Sequence, residues 1–188
     1  MNIQIIYLNG PTSSGKSTLA KALQEALDSP FLHIGIDKII GMMPDKVNNW
    51  VGCSAPLGFS WKESKDNDGN LIQELQMGPF AKQISDTYRE VVALLVKLGH
   101  YVIIDDVSFG SEEMARWRKL LQNYRVLYVG VKSPLDVLEL REKQRGNRMI
   151  GSAREQYHKV HLGNEYDVEV DTSKSPVKEC VDLILKRL

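Results

Sequence analysis

The sequence predicts an α/β fold of three layers: a parallel sheet of five strands with helices on both faces, in one domain spanning residues 1–188. Three observations predict it. Short, near-continuous apolar runs recur, as in strands buried on both sides. Segments with helical spacing separate those runs, as parallel strands require. A glycine-rich turn, Gly10-Pro-Thr-Ser-Ser-Gly15-Lys16-Ser17, joins the first run to the first helical segment.

The first run, Ile3–Leu8, leads into that turn, which satisfies G-x-x-x-x-G-K-[ST]. Such a loop turns its backbone N–H groups around a phosphate, and its glycines allow positive φ. The helix predicted next, Lys16–Leu27, adds the positive end of its dipole. Its apolar stripe is Leu19, Leu23, Ala26 and Leu27. Gly10, Pro11, Thr12, Ser13, Ser14, Gly15, Lys16, Ser17 and Thr18 are therefore nucleotide-binding candidates. In this motif Lys16 reaches the β- and γ-phosphates and Ser17 offers its hydroxyl to Mg²⁺.

The second run, Phe31–Ile36, ends in Asp37. An acid at that strand end can accept the proton of an attacking hydroxyl, as general base. Asp37 can also cap a helix over Lys38–Met42, and the two roles are not exclusive. Residues 48–78 carry four glycines and the polar stretch Glu63–Asn70, and are expected to form a long excursion from the core. Its Trp50, Phe59 and Trp61, with Met42, Met43 and Met77, suit either an apolar acceptor pocket or the packing of a helical flap.

Pro79–Leu98 repeats apolar residues every three or four positions and stops at Gly99. The third run, Tyr101–Ile104, ends in Asp105-Asp106, where α/β proteins bind ligands. Strand residues alternate in direction, so one of the pair is expected to point to the site and serve the metal. Ser111 is a candidate cap for a helix opened by Glu112 and Glu113. A fourth run, Val126–Val131, precedes Ser133-Pro134, read as cap plus first turn, as is Ser175-Pro176. A weak fifth run is Tyr166–Val170.

Arg141, Arg145 and Arg148 follow a spacing of four and three, which shares one helix face. Guanidiniums in a row can clamp a transferring phosphoryl group, and Gly146 offers a hinge, so 141–151 is a candidate lid. A solvated basic helix end is the plainer reading. His33, His158 and His161 lack a zinc-like pattern, and nothing nearby activates Cys53.

Lys+Arg and Asp+Glu number 24 each, so the formal net charge is zero. That balance argues against a nucleic-acid partner. No run nears the about 18 apolar residues of a membrane span, and the N-terminus lacks the basic region of a signal peptide. The two cysteines, far apart, suit a reducing cytoplasm.

In order along the chain, the P-loop, Gly35-Ile-Asp37, Met43-Pro44, Ile103-Ile-Asp105-Asp106-Val107, Arg116-Trp117-Arg118, Tyr128-Val-Gly-Val131, Arg141 through Arg145-Gly-Asn-Arg148, and Glu165 through Asp171-Thr172 together resemble the chloramphenicol phosphotransferase-like family of P-loop kinases. The resemblance implies ATP-dependent 3-O-phosphorylation of chloramphenicol, with Asp37 as base and Arg145 and Arg148 in a lid. Asn147 stands where that pattern expects an acid, and 48–78 is the least family-like region. The expectation is thus a kinase using ATP and Mg²⁺ on a small-molecule hydroxyl acceptor. The alternatives are a different small acceptor, such as a sugar acid or a nucleotide-sugar, or a nucleotide-binding switch or toxin-like module.

Overall fold

The computed structural model describes residues 3–146 and 149–188. Its main sheet is parallel, with five strands: β1 (Ile5–Asn9), β2 (Phe31–Gly35), β5 (Tyr101–Asp106), β6 (Val126–Lys132) and β7 (Val168–Asp171), in the order β2-β5-β1-β6-β7. β1 is buried along its whole length, so both of its faces need cover.

Alternation along β1 supplies that cover. Ile6 and Leu8 point to one face, where α1 (Lys16–Ala26) contributes Leu19 and Leu23, and α7 (Val177–Leu185) contributes Val181 and Ile184. Ile5 and Tyr7 point to the other, where α3 (Pro79–Lys97) and α4 (Gly110–Leu120) bring Tyr88, Val92, Met114 and Trp117. Trp117 meets Tyr7 and Tyr88 edge-on, with ring centroids at 5.4 and 5.5 Å.

Several local expectations are corrected. The excursion is neither a structureless loop nor a helical flap: it holds an antiparallel hairpin, β3 (Phe59–Lys65) with β4 (Leu71–Met77). Its polar stretch is a solvent-facing strand end and the turn around Asp66, whose carboxylate accepts the N–H groups of Asp68 and Asn70. Asp37 sits inside the short helix α2 (Ile36–Ile40), whose N-cap is Gly35, so it is not the cap. Ser111 does not cap α4 either; the helix starts at Gly110, and Glu113 accepts the Phe109 N–H at 2.8 Å.

Pro134 and Pro176, rather than the serines before them, hold the N-cap positions of α5 (Leu135–Arg145) and α7. Their carbonyls already accept the first helical bonds, from Leu138 and Cys180. The fifth strand starts at Val168, because Tyr166 turns its ring onto Gly130, where a Cβ would lie 2.6 Å from the ring. α5 ends at Arg145 and is followed by Gly146 at φ 65°. The expected third arginine of the row, Arg148, lies outside the described residues, as does Asn147. After them comes α6 (Ser152–Val160).

Candidate active site

The loop between β1 and α1 forms the floor of a cleft of about 1200 Å³. Gly15 has φ 90°, a conformation glycine adopts without strain, and its carbonyl starts α1 by accepting the Leu19 N–H. Gly10 is required for contact: a Cβ there would lie 2.8 Å from Ser14 Oγ and against the Val131 carbonyl. Thr12, Ser13, Gly15, Lys16, Ser17 and Thr18 line the cleft. Gly10, Pro11 and Ser14 form its backing. The Gly10 and Pro11 carbonyls accept Lys16 Nζ at 2.8 and 3.0 Å, and the Ser14 carbonyl accepts Thr172 Oγ1 at 2.7 Å.

β5 separates its two terminal acids. Asp105 faces α1, where Oδ2 accepts the Ser17 hydroxyl at 2.6 Å and meets His33 Nε2 at 3.3 Å, while Oδ1 lies 4.0 Å from Lys16 Nζ. Burial acts to raise the Asp105 pKa, but the His33 hydrogen bond, the Lys16 charge and the Ser17 hydroxyl outweigh it and hold the carboxyl below the ordinary aspartate range. Asp106 faces the other layer. Its Oδ2 accepts Tyr7 OH at 2.7 Å, Trp117 Nε1 at 2.8 Å and Ser108 Oγ at 2.9 Å. Burial, with Asp106 next to it, pushes the Tyr7 hydroxyl well above its usual value, so it stays a donor. A hydroxyl and a carboxylate oxygen 2.6 Å apart at the mouth of the loop are the hard donors that Mg²⁺ takes, so Ser17 and Asp105 fit that ion.

Asp37 lines the same cleft as the loop, and so do Trp50, Phe59, Trp61, Leu75 and Met77. Trp50 and Phe59 stack at 5.8 Å. The two readings of the aromatic and methionine set divide between residues. Met77 joins the cleft wall, Met43 is buried with Phe59 and Ala81, and Met42 is 79% exposed. Cys53 is exposed and free.

Arg141 and Arg145 line the phosphate end. Arg141 also braces the floor, with Nη1 donating to Thr172 Oγ1 at 3.0 Å and Nη2 to the Thr172 carbonyl at 2.9 Å. Motif reading missed Thr172 as a loop support, and also Gln156, whose Oε1 accepts the Thr12 N–H at 2.6 Å. Neither belongs to a local pattern; each arrives from a distant element. His161 and His158 stand apart from the cleft: Nδ1 of His161 meets Tyr166 OH at 2.9 Å, and His158 packs edge-on against Tyr157.

The family model described as chloramphenicol phosphotransferase-like protein matches residues 3–188. The chain belongs to the chloramphenicol phosphotransferase-like family. Among its relatives is the Mycobacterium tuberculosis (strain H37Rv) protein named "Putative O-phosphotransferase Rv2636", 32% identical over 178 residues, covering 94% of this chain and 78% of that one. A cytidine diphosphoramidate kinase of Campylobacter jejuni is 26% identical and covers 100% and 97% of the two chains. Among solved structures, the M. tuberculosis adenylyl-sulfate (APS) kinase CysC, in complex with AMPPNP and APS, superposes with TM-score 0.66 at 17% identity over 98% of this chain and 96% of that one. This member of the chloramphenicol phosphotransferase-like family thus has the P-loop kinase fold and is a kinase-like phosphotransferase.

Proposed function

We propose that the protein transfers the γ-phosphoryl group of ATP, in the presence of Mg²⁺, to a hydroxyl of a small molecule. One observation carries the reading: Asp37 and the phosphate loop line one cleft, in which the Ser17 hydroxyl meets Asp105. The loop amides, Lys16 and Thr18 hold the phosphates, and Arg141 steadies the loop. Arg145 offsets charge on the moving group, and Arg148, outside the described residues, is proposed for the same task. Ser17 and Asp105 would hold Mg²⁺, which would supply positive charge to offset that of the phosphates. Asp106 keeps a supporting role, because three donors already occupy one of its oxygens.

In the transfer, the bond from the acceptor oxygen to γ-phosphorus forms and the bond to the β–γ bridging oxygen breaks. ADP leaves, and the acceptor proton passes to Asp37. The hairpin supplies the acceptor wall, and 141–151, of which 147 and 148 lie outside the described residues, is proposed as the lid on the phosphate side.

Chloramphenicol is the acceptor that the family description points to, and the aromatic wall of Trp50, Phe59 and Trp61 suits its ring. A second reading, an acceptor bearing an anionic group, is favoured by Lys82, Arg89 and Arg116 at the acceptor end. Nε of Arg89 is buried with no hydrogen-bond partner among the described residues, though Glu113 and Asp86 stand beside these cations. Relatives named for adenylyl sulfate and cytidine diphosphoramidate agree with it.

Labelled ATP, offered with chloramphenicol, sugars, sugar acids and nucleotide-sugars, tests both. Transfer to another compound and none to chloramphenicol removes the drug as acceptor. Tight ATP binding with no phosphorylated product from a metabolite pool favours a nucleotide-binding switch instead. Asp37→Asn is expected to bind AMPPNP as the wild type does and to lose transfer by roughly 10²–10⁴-fold. Near-normal turnover at saturating acceptor would remove Asp37 as base.

A further inference from the structure

Resting on ATP as the phosphoryl donor, we infer that Gln156 contacts the γ-phosphoryl group through its side-chain amide. Gln156 is 6% exposed and lines the cleft. A backbone N–H can only donate, so the Thr12 N–H at 2.6 Å must meet the amide oxygen, and this fixes which way round the amide lies. The Nε2 group is left with two N–H donors. It makes no hydrogen bond among the described residues, and it is not sealed in the packing, so it opens on the cleft. An amide whose oxygen is pinned and whose donors face a phosphate cradle is built to meet an anionic oxygen.

The position of α6 selects which phosphate. α6 packs against β4, and the Gln73 N–H of β4 donates to the Gly151 carbonyl at the start of α6. β4 also carries Leu75 and Met77 of the acceptor wall. Gln156 therefore approaches the loop from the acceptor side, between acceptor pocket and phosphate floor. The group in transit occupies that junction; the β-phosphate sits deeper, over the loop amides. Glu142 of α5 fixes the approach by accepting the Gly151 and Ala153 N–H groups, both at 2.8 Å, and the Ser152 hydroxyl at 2.6 Å.

Calorimetric titration of the full chain with AMPPNP and with ADP, both with Mg²⁺, tests this. Gln156→Glu keeps an acceptor for Thr12 but removes the donors and adds negative charge. It is expected to weaken AMPPNP roughly 30-fold while ADP changes by less than about threefold. Gln156→Met, of similar volume and uncharged, is expected to lose the preference for AMPPNP over ADP as well. Equal weakening of both nucleotides in Gln156→Glu, or no weakening of either, overturns the contact while leaving the nucleotide reading intact. A wild type that binds neither nucleotide overturns both.

Discussion

Asp105 and His161 show how different surroundings shift two titratable groups. Asp105 is ionised in the fold, held by His33, Lys16 and Ser17. Its contribution to stability is present above the ordinary aspartate value and is lost as pH falls through its lowered one. For His161, burial and then the Lys132 charge lower the pKa from 6.5 to about 4, so the folded protein keeps the ring neutral. Between those two values the unfolded chain binds more protons than the native one, and stability falls as pH falls. His161→Gln is expected to flatten the loss of melting temperature from pH 6.5 to about 4, relative to wild type. Parallel pH profiles for the two proteins would show that His161 is not the acid-sensitive group.

At the scale of elements, the stems of the candidate lid are tied together by Glu142, 1% exposed, which reaches from α5 to the first turn of α6. Arg154 extends the tie, meeting Glu139 of α5 at 2.7 Å and Asp66 of the hairpin turn at 3.3 Å. Glu142→Ala orphans two backbone donors and a hydroxyl in a buried place, so it is expected to destabilise the protein by about 3 kcal/mol in urea unfolding. A change below about 0.5 kcal/mol would mean that water replaces the carboxylate freely. Elements differ in how legible they are. β1 and β5 are apolar up to their polar ends, Asn9 and Asp105-Asp106, because both faces are covered, and their runs are plain. β3 and β4 form a two-stranded ribbon whose far end is exposed on both faces, so Lys62, Glu63 and Lys65 break the apolar pattern and the hairpin reads as loop.

For the whole molecule, the neutral charge sum hides a sorted distribution. Lys16, Arg141, Arg145 and Lys159 line the cleft together with Asp37 and Asp105. A cleft lined in this way suits the proposed nucleotide, a small polyanion carrying a metal ion. Mg²⁺ with AMPPNP at a hundredfold excess over its dissociation constant is expected to stabilise the fold by about 2.7 kcal/mol. In scanning calorimetry that corresponds to a rise of about 5–10 °C in melting temperature. An unchanged melting temperature would remove the nucleotide from the cleft. Among the described residues no helix is long and apolar enough to cross a membrane.

By itself the sequence determined the features that a local segment encodes: the alternating α/β order, the phosphate loop, and the acids and cations set at element ends. Local encoding is enough there, because loop conformation depends on nearby glycines and burial on the period of apolar residues. Only the tertiary structure decided which acid of Asp105-Asp106 faces Ser17, that Thr172 and Gln156 support the loop, and that a hairpin walls the cleft. Those outcomes depend on which strand neighbours which, and on contacts spanning 88, 158 and 144 residues of chain. No window along the sequence carries that information; the strand order β2-β5-β1-β6-β7 does.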